Sequence, residues 1–250
     1  MVEAVTLLGV HVHAVTMAQT LAWVEAAVTG RAPRQLCTAN PEFVMAAQRD
    51  REFLEVLNRA DLVIPDGVGL LWAARQQGAQ IPERVAGSDL IFRLAELAAR
   101  HGWRLYFLGA AEGVAEQAAE VLQGKYPGFK VAGTFAGSPQ PDENAALVAR
   151  VKAARPDILM VAYGAPAQDK WIARNLRALG VPLSMGVGGS FDFVAGVVPR
   201  APVWLQRLNL EWLYRLWKQP RRIWRIFTAV VGFPLTVLWR RWAPGRPGKD

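Results

Sequence analysis

The feature that most constrains this chain is a repeated phrase: a short run of consecutive apolar residues, a turn, then an amphipathic helical pattern. "LCTANPEFVMAAQ" starts it, with Leu36 to Thr38 extended, Asn40-Pro41 turning and Glu42 onward helical. "LVIPDGVGLLWAA" repeats it from Leu62 to Ala74, where Pro65 stops the strand and Gly67 allows a sharp turn into the helix. "RLYFLG", "FKVAGTF", "DILMVAYG" and "PLSMGVGG" open further copies. The helices between them read from Ser88 or Asp89 as cap to Gly102, about Ala111 to Leu122, Glu143 to Ala154, and Gln168 to Leu179. Apolar runs that do not alternate are buried on both faces, as in a parallel sheet with helices on either side. The expected fold class is α/β: a Rossmann-like, mostly parallel sheet flanked by helices.

Before the first copy, Val5 to Val10 read as a strand and Thr16 with Gln19 as a capping box for a helix from Met17 to about Thr29. His11 and His13 alternate with Val10 and Val12 and read as structural. The opening residues lack the basic start and long apolar stretch of a secretory leader. A single cysteine, Cys37, excludes an intramolecular disulfide, and three scattered histidines offer no zinc spacing. A cytosolic chain without metal or cofactor is expected.

In open parallel sheets ligands sit beyond the carboxyl ends of the strands. There this chain carries glycine-bearing loops: Gly109 with "AAEG", Gly133 with "TFAGSP", Gly164 with "APAQ", and "GVGGSFD" from Gly186 to Asp192. Such loops let backbone approach a phosphate-bearing ligand with helix N-termini aimed at it. "FLGAAEG" lacks the G-x-G-x-x-G fingerprint and no G-x-x-x-x-G-K-[ST] is present, which counts against redox and P-loop chemistry. Asp66, at the mouth of a strand-to-helix turn, has two roles open to it: N-cap of the following helix, or functional carboxylate.

Charge divides the chain. From Arg200 to Asp250 there are eleven Lys/Arg against Glu211 and Asp250, a net +9, so residues 1–199 carry a net −1 of the total +8. Six of the ten tryptophans are in the same segment: Trp204, Trp212, Trp217, Trp224, Trp239 and Trp242. The expected organisation is an α/β domain over 1–200 and a basic, Trp-rich helical appendage over 201–250. The longest uncharged run, Ile226 to Trp239, has 14 residues, short of the about 20 needed to span a bilayer. It suits a monotopic contact, with tryptophans at headgroup depth and arginines on anionic lipid; the other reading is a helix pair packed on the domain. Nucleic-acid binding leaves Val230, Val231, Leu235, Val237 and Leu238 without a role.

Seven segments in order, "TANPEFV", "ADLVIPDGVGLLWAAR", "RVAGSDL", "FLGAAEGV", "DILMVAYGAPAQDKWI", "GVGGSFDFVAGVVPRAP" and "LEWLYRLWKQPRRIWR", resemble the WecG/TagA/CpsF glycosyltransferase family from about residue 5 to 227. The resemblance implies an inverting transferase moving an N-acetylmannosamine-type sugar from a UDP donor to N-acetylglucosamine on a polyprenyl diphosphate. It implies peripheral attachment to the cytoplasmic membrane face and a role in wall teichoic acid, common antigen or capsule synthesis. No metal held by a DXD motif is implied, and the sequence has no Asp-x-Asp. By matching motifs, Asp66 is the implied base, and Thr38, Asn40, Arg84 and Gln168 are sugar-pocket residues. Gly109, Tyr163, Gly164, Gly188 and Asp192 fall in nucleotide loops, while Arg215, Arg222 and Arg225 belong to an appendage that engages diphosphate. The sequence admits a homo-oligomer. The rival from another class is a non-catalytic, membrane-associated nucleotide-binding protein in which Asp66 only caps its helix.

Overall fold

The computed structural model describes residues 3–199, 201–202, 205, 214 and 223–242. A hairpin of β1 (Ala4–Leu7) and β2 (Val10–His13) leads through α1 (Met17–Gly30) to a six-stranded sheet. Its strands are β3 (Arg34–Ala39), β4 (Leu62–Pro65), β5 (Arg104–Gly109), β6 (Lys130–Phe135), β7 (Ile158–Ala162) and β8 (Leu183–Gly186). They lie in the order β4-β3-β8-β7-β5-β6 and every ladder is parallel. Between them run α2 (Pro41–Ala47), α3 (Arg51–Arg59), α4 (Val68–Gln76), α5 (Gly87–His101), α6 (Val114–Lys125), α7 (Asn144–Ala154) and α8 (Ala167–Leu179), and α9 (Ser190–Val194) follows β8.

The period of two along each strand assigns the layers. Leu36, Ile64, Phe107, Met160 and Met185 pack with Val24 and Val28 of α1, Leu90 and Leu94 of α5, Leu122 of α6 and Phe191 of α9. On the other face Cys37, Ala39 and Val63 meet Val44, Phe53, Leu57 and Leu70 from α2, α3 and α4. Leu108, Leu159 and Val161 meet Leu147 and Val151 of α7 and Trp171 and Ile172 of α8. Burial on both faces is why these strands show no polar alternation.

Several local expectations are corrected. The run Val5 to Val10 is the hairpin, not one strand, because Leu8 and Gly9 both turn at positive φ, 50° and 87°. That is type I′ turn geometry; Leu8 tolerates it because its side chain is buried in the core. The helix after Asn40 is split, and Asp50 restarts it by accepting from the Phe53 N–H at 3.0 Å. Helix α5 begins at Gly87 behind Ala86, so neither Ser88 nor Asp89 is its N-cap. Helix α6 begins at Val114 because Ala110 and Gly113 sit at φ 66° and 81°. The Thr16–Gln19 capping box is present as expected.

The C-terminal part is helical as α10 (Ile223–Phe227), a π-helical turn (Thr228–Gly232) and α11 (Phe233–Trp242). Pro234 lacks the N–H that a regular helix would donate to Val230, and a π turn absorbs the mismatch. Phe233 and Val237 are buried among Val44, Ala47, Leu70 and Ala73 of α2 and α4. Arg225 pairs with Glu42, and Arg240 Nη2 donates to Gln48 Oε1 at 3.1 Å. Residues 223–240 form one helical stretch long and apolar enough, by length and composition alone, to cross a membrane, with 11% of it buried in the molecule. One edge of this stretch packs on the α/β body, as the packed-helix reading expects, while Trp224, Leu235 and Trp239 stay exposed. Arg215 and Arg222, with Trp204, Trp212 and Trp217, lie outside the described residues.

Candidate active site

A cleft of about 520 Å³ opens at the carboxyl ends of β3, β4, β7 and β8. Its first wall comes from β3 and β4. The Asp66 N–H donates to Ala39 O at 2.7 Å just past the Ala39–Pro65 register pair, so Asn40 and Asp66 leave the sheet side by side. Asn40 Oδ1 accepts the Phe43 N–H at 2.9 Å and caps α2, with Pro41 at the first helical position. The N-cap of α4 is Gly67, with no side-chain capping bond. Asp66 therefore stands one residue before the N-cap position.

Gly67 is forced by packing, since a Cβ there would lie 2.8 Å from Pro41 Cδ. The Val85 N–H donates to Pro65 O at 2.9 Å, which ties the loop 84–87 to the end of β4 and brings Arg84 to the cleft. Gly87 then sits under the acid. A Cβ on it would be 3.4 Å from Asp66 Oδ2 and 3.2 Å from Thr38 Cγ2.

The second wall comes from β7 and β8 and is organised by Gln168, which is 1% exposed. Its Oε1 accepts the N–H groups of Gly164 at 3.1 Å and Gly188 at 3.0 Å. Both glycines have left-handed φ, 77° and 52°, which points their amides inward without the steric cost another residue would carry. Gln168 fits because β8 ends in Gly186, where a Cβ would lie 2.7 Å from Gln168 Cδ. Asp192, from the first turn of α9, is half-buried on the same wall.

The third wall is apolar and comes from the tail. Ile226, Ala229, Val230 and Pro234 face Phe43 and Val68 across the cleft, with Tyr214 also lining it. Arg225 stands at this wall, and its pairing with Glu42 joins the tail to the first turn of α2.

The structure thus gathers Thr38, Asn40, Asp66, Arg84, Gly164, Gln168, Gly188, Asp192 and Arg225 around one cavity. Gly109 and Tyr163 do not line it. Gly109, at φ 98°, lets β5 pass β7, and a Cβ there would be 2.8 Å from the Ala162 carbonyl carbon. Tyr163 follows the alternation of Leu159 and Val161 onto the opposite face, where it meets Trp171 edge-on at 6.1 Å and burial raises its phenol pKa. Arg215 and Arg222 lie outside the described residues. Among the described residues, no three His, Cys, Asp or Glu side chains gather as a metal-ligand set. Glu42 and Gly87 were not singled out for the site from the sequence, and Gly186 entered only as the start of the GVGGSFD loop. Glu42 had a signal, an acid two residues after the Asn40 cap; the two glycines matter only through neighbours distant in the chain.

The family model "Glycosyl transferase WecG/TagA/CpsF family" matches residues 5–247. The N-acetylglucosaminyldiphosphoundecaprenol N-acetyl-beta-D-mannosaminyltransferase of Bacillus subtilis (strain 168) is 35% identical over 203 residues, 81% of this chain and 78% of that protein. The protein of the same name from Staphylococcus aureus (strain MW2) is 32% identical over 224 residues, 89% of this chain and 87% of its own length. That of Bacillus spizizenii (strain ATCC 23059 / NRRL B-14472 / W23) is 33% identical over 212 residues, covering 85% and 81%. With a match over nearly its whole length and a parallel sheet that opens a polar cleft at its strand ends, the chain belongs to the WecG/TagA/CpsF family of glycosyltransferases.

Proposed function

We propose that this protein transfers an N-acetylmannosamine-type sugar from a UDP donor to N-acetylglucosamine on a polyprenyl diphosphate, with inversion, in the synthesis of a bacterial cell-surface polysaccharide. The observation that carries this is the composition of the cleft: a carboxylate and hydrogen-bonding side chains at the strand ends, two arginines, and an apolar wall from the tail. A substrate that is part sugar, part diphosphate and part lipid needs all three. The names of the relatives supply the sugar and the acceptor.

In this mechanism the acceptor hydroxyl attacks the anomeric carbon from the face opposite UDP. Asp66 takes the hydroxyl proton as the new C–O bond forms, and the old C–O bond breaks with its electrons leaving on UDP. A carboxylate is a weak base at the outset but gains effect as the attacking hydroxyl acidifies; positioned bases contribute about 10²- to 10⁴-fold. Arg84 and Arg225 and the N-terminus of α8 oppose the charge growing on diphosphate. Thr38 and Asn40 orient the sugars beside Asp66. Gln168 holds the Gly164 and Gly188 loops that receive the donor, with Asp192 on the same wall.

The outer edge of 223–240 lies on the membrane in this reading. Trp224 is 77% exposed, Trp239 70% and Leu235 62%, too much apolar surface on one helix to leave in water. A helix whose other edge is fixed to α2 and α4 lies in the interface plane at the cytoplasmic face, delivering a membrane-bound acceptor to the cleft.

The test is a panel of UDP-sugars offered with a short-chain lipid diphosphate acceptor, product being read by mass. Transfer by wild type, and loss of at least about 10²-fold in Asp66→Asn with folding and UDP binding kept, is the expected result. UDP binding without transfer to any acceptor rejects the transferase. An Asp66→Asn rate within a few-fold of wild type rejects the base.

A further inference from the structure

Behind Gln168, on the sheet side of α8, lies a carboxyl group that the transfer chemistry does not use. Asp169 is 1% exposed, and its Oδ2 has no hydrogen-bond partner. Cys37 of β3 and the Gln168 amide lie close enough to draw its carboxyl pKa down by hydrogen bonding, while Gln35 Nε2 donates to its main-chain oxygen at 3.0 Å. Burial nonetheless pushes its carboxyl up to about 7. The Cys37 thiol is raised in turn by its own burial and by the nearby acid. A buried acid with an unpaired oxygen destabilises a fold, where an apolar side chain of similar size would not. Its place in the interior calls for a gain elsewhere.

The gain is legible at Gly186. The point where its Cβ would lie is 2.7 Å from Gln168 Cδ and 2.8 Å from Asp169 Oδ1, so the two side chains share the space over one bare α-carbon. The Gln168 amide has an oxygen end and an NH₂ end. Its oxygen end holds the N–H groups of Gly164 and Gly188. Turned the other way, it would set donors against donors and open both loops. An acceptor at the NH₂ end selects the productive orientation, and a carboxylate is an acceptor with no hydrogen of its own.

We propose that Asp169 is a positioning residue for the transfer: by accepting from the Gln168 NH₂ it fixes that amide with its oxygen toward Gly164 and Gly188, and so holds together the two loops that receive the donor. This rests on the transferase reading above. The charged groups around α8 do not compete for the part. Lys170 is held by Asp50 at 2.7 Å and Glu52 at 3.0 Å from α3. The facing β7 side chains, Leu159 and Val161, are apolar, and β8 presents Ser184, whose hydroxyl is buried without a partner. That leaves Cys37 as the titratable group from β3 that meets it.

The experiment compares wild type, Asp169→Ala and Asp169→Asn in transfer kinetics, with each substrate varied in turn and UDP affinity measured by titration. Asp169→Ala should raise the donor KM and weaken UDP binding about tenfold, the loss of one well-placed hydrogen bond. The acceptor KM should not move and kcat should stay within about threefold. Asp169→Asn keeps an oxygen that can accept from Gln168 and should restore the donor KM to within about threefold. A merely structural role would lower kcat with the folded fraction and leave both KM values alone. That pattern, or an Asn variant no better than Ala, overturns the proposal. Should Asp169→Ala not fold, the side-chain amide resonances of Gln168 decide. They should differ between wild type and Asp169→Asn, because the acceptor facing the NH₂ group changes from a carboxylate to an amide oxygen; resonances identical in the two proteins overturn it. Wild type that binds UDP but transfers nothing rejects the transferase instead, and the UDP affinities and resonances still test Asp169.

Discussion

Replacing Phe233 by alanine should undock the tail while leaving the sheet intact. Of the stretch 223–240, the 11% that is buried comprises Phe233, fully buried, and Val237, 3% exposed. The other attachments are weak. The Glu42–Arg225 pair has side chains 29% and 51% exposed, and an ion pair open to water contributes about 0.2–1 kcal/mol. Burying one phenyl ring contributes about 1.5–3 kcal/mol, so Phe233 is the main anchor. Losing about 2–3 kcal/mol of docking energy raises the undocked population about 30- to 150-fold. Amide hydrogen exchange across 223–240 should accelerate by that factor, with β5, β7 and β8 unchanged. Because Arg225, Ile226, Ala229 and Val230 line the cleft, transfer should fall in parallel. Exchange within about threefold of wild type in the tail would refute the anchoring, and acceleration spread through the sheet would show that the tail is part of the global fold.

Two further substitutions probe the same frame. Gly186→Ala places a methyl group against Gln168 and Asp169 and should cost about 1–3 kcal/mol, with donor binding weakened more than acceptor binding; thermal unfolding and separate KM values check both, and a variant as stable and as active as wild type would remove Gly186 from the account. Leu235→Glu with Trp239→Glu adds charge on the exposed edge only, so the protein should keep its unfolding temperature and lose partitioning onto anionic liposomes; unchanged partitioning would locate the membrane contact elsewhere.

The layered fold was readable because its signal is local. Strands buried on both faces must be apolar throughout, and the helices between them must be amphipathic, so "DILMVAYG" and "GSDLIFRLAELAARHG" announce themselves without reference to the rest of the chain. The Thr16–Gln19 capping box was likewise complete within four residues. Misplacements arose where another part of the chain decided. Leu8 turns at positive φ because its side chain is held in the core, and Ser88 loses its capping role to a helix that already starts at Gly87.

The same division runs through the candidate site. Sequence alone determined that Thr38, Asn40, Asp66, Gly164 and Gly188 fall at strand ends, because strand length and turn chemistry are written in adjacent residues. It could not separate Gly164 from Gly109, both glycines after apolar strands. Strand order did that, placing β4, β3, β8 and β7 around the cleft and β5 beyond it. Nor could it place Tyr163, whose direction is fixed by the pleat. The roles of Gly87 and Gly186 are distances to side chains far away in the chain, and the apolar wall comes from a tail whose Phe233 and Val237 pack among residues of α2 and α4. Hydrophobic periodicity fixes what each segment becomes; which strand ends meet, and what closes over them, depends on long-range packing that no local pattern encodes.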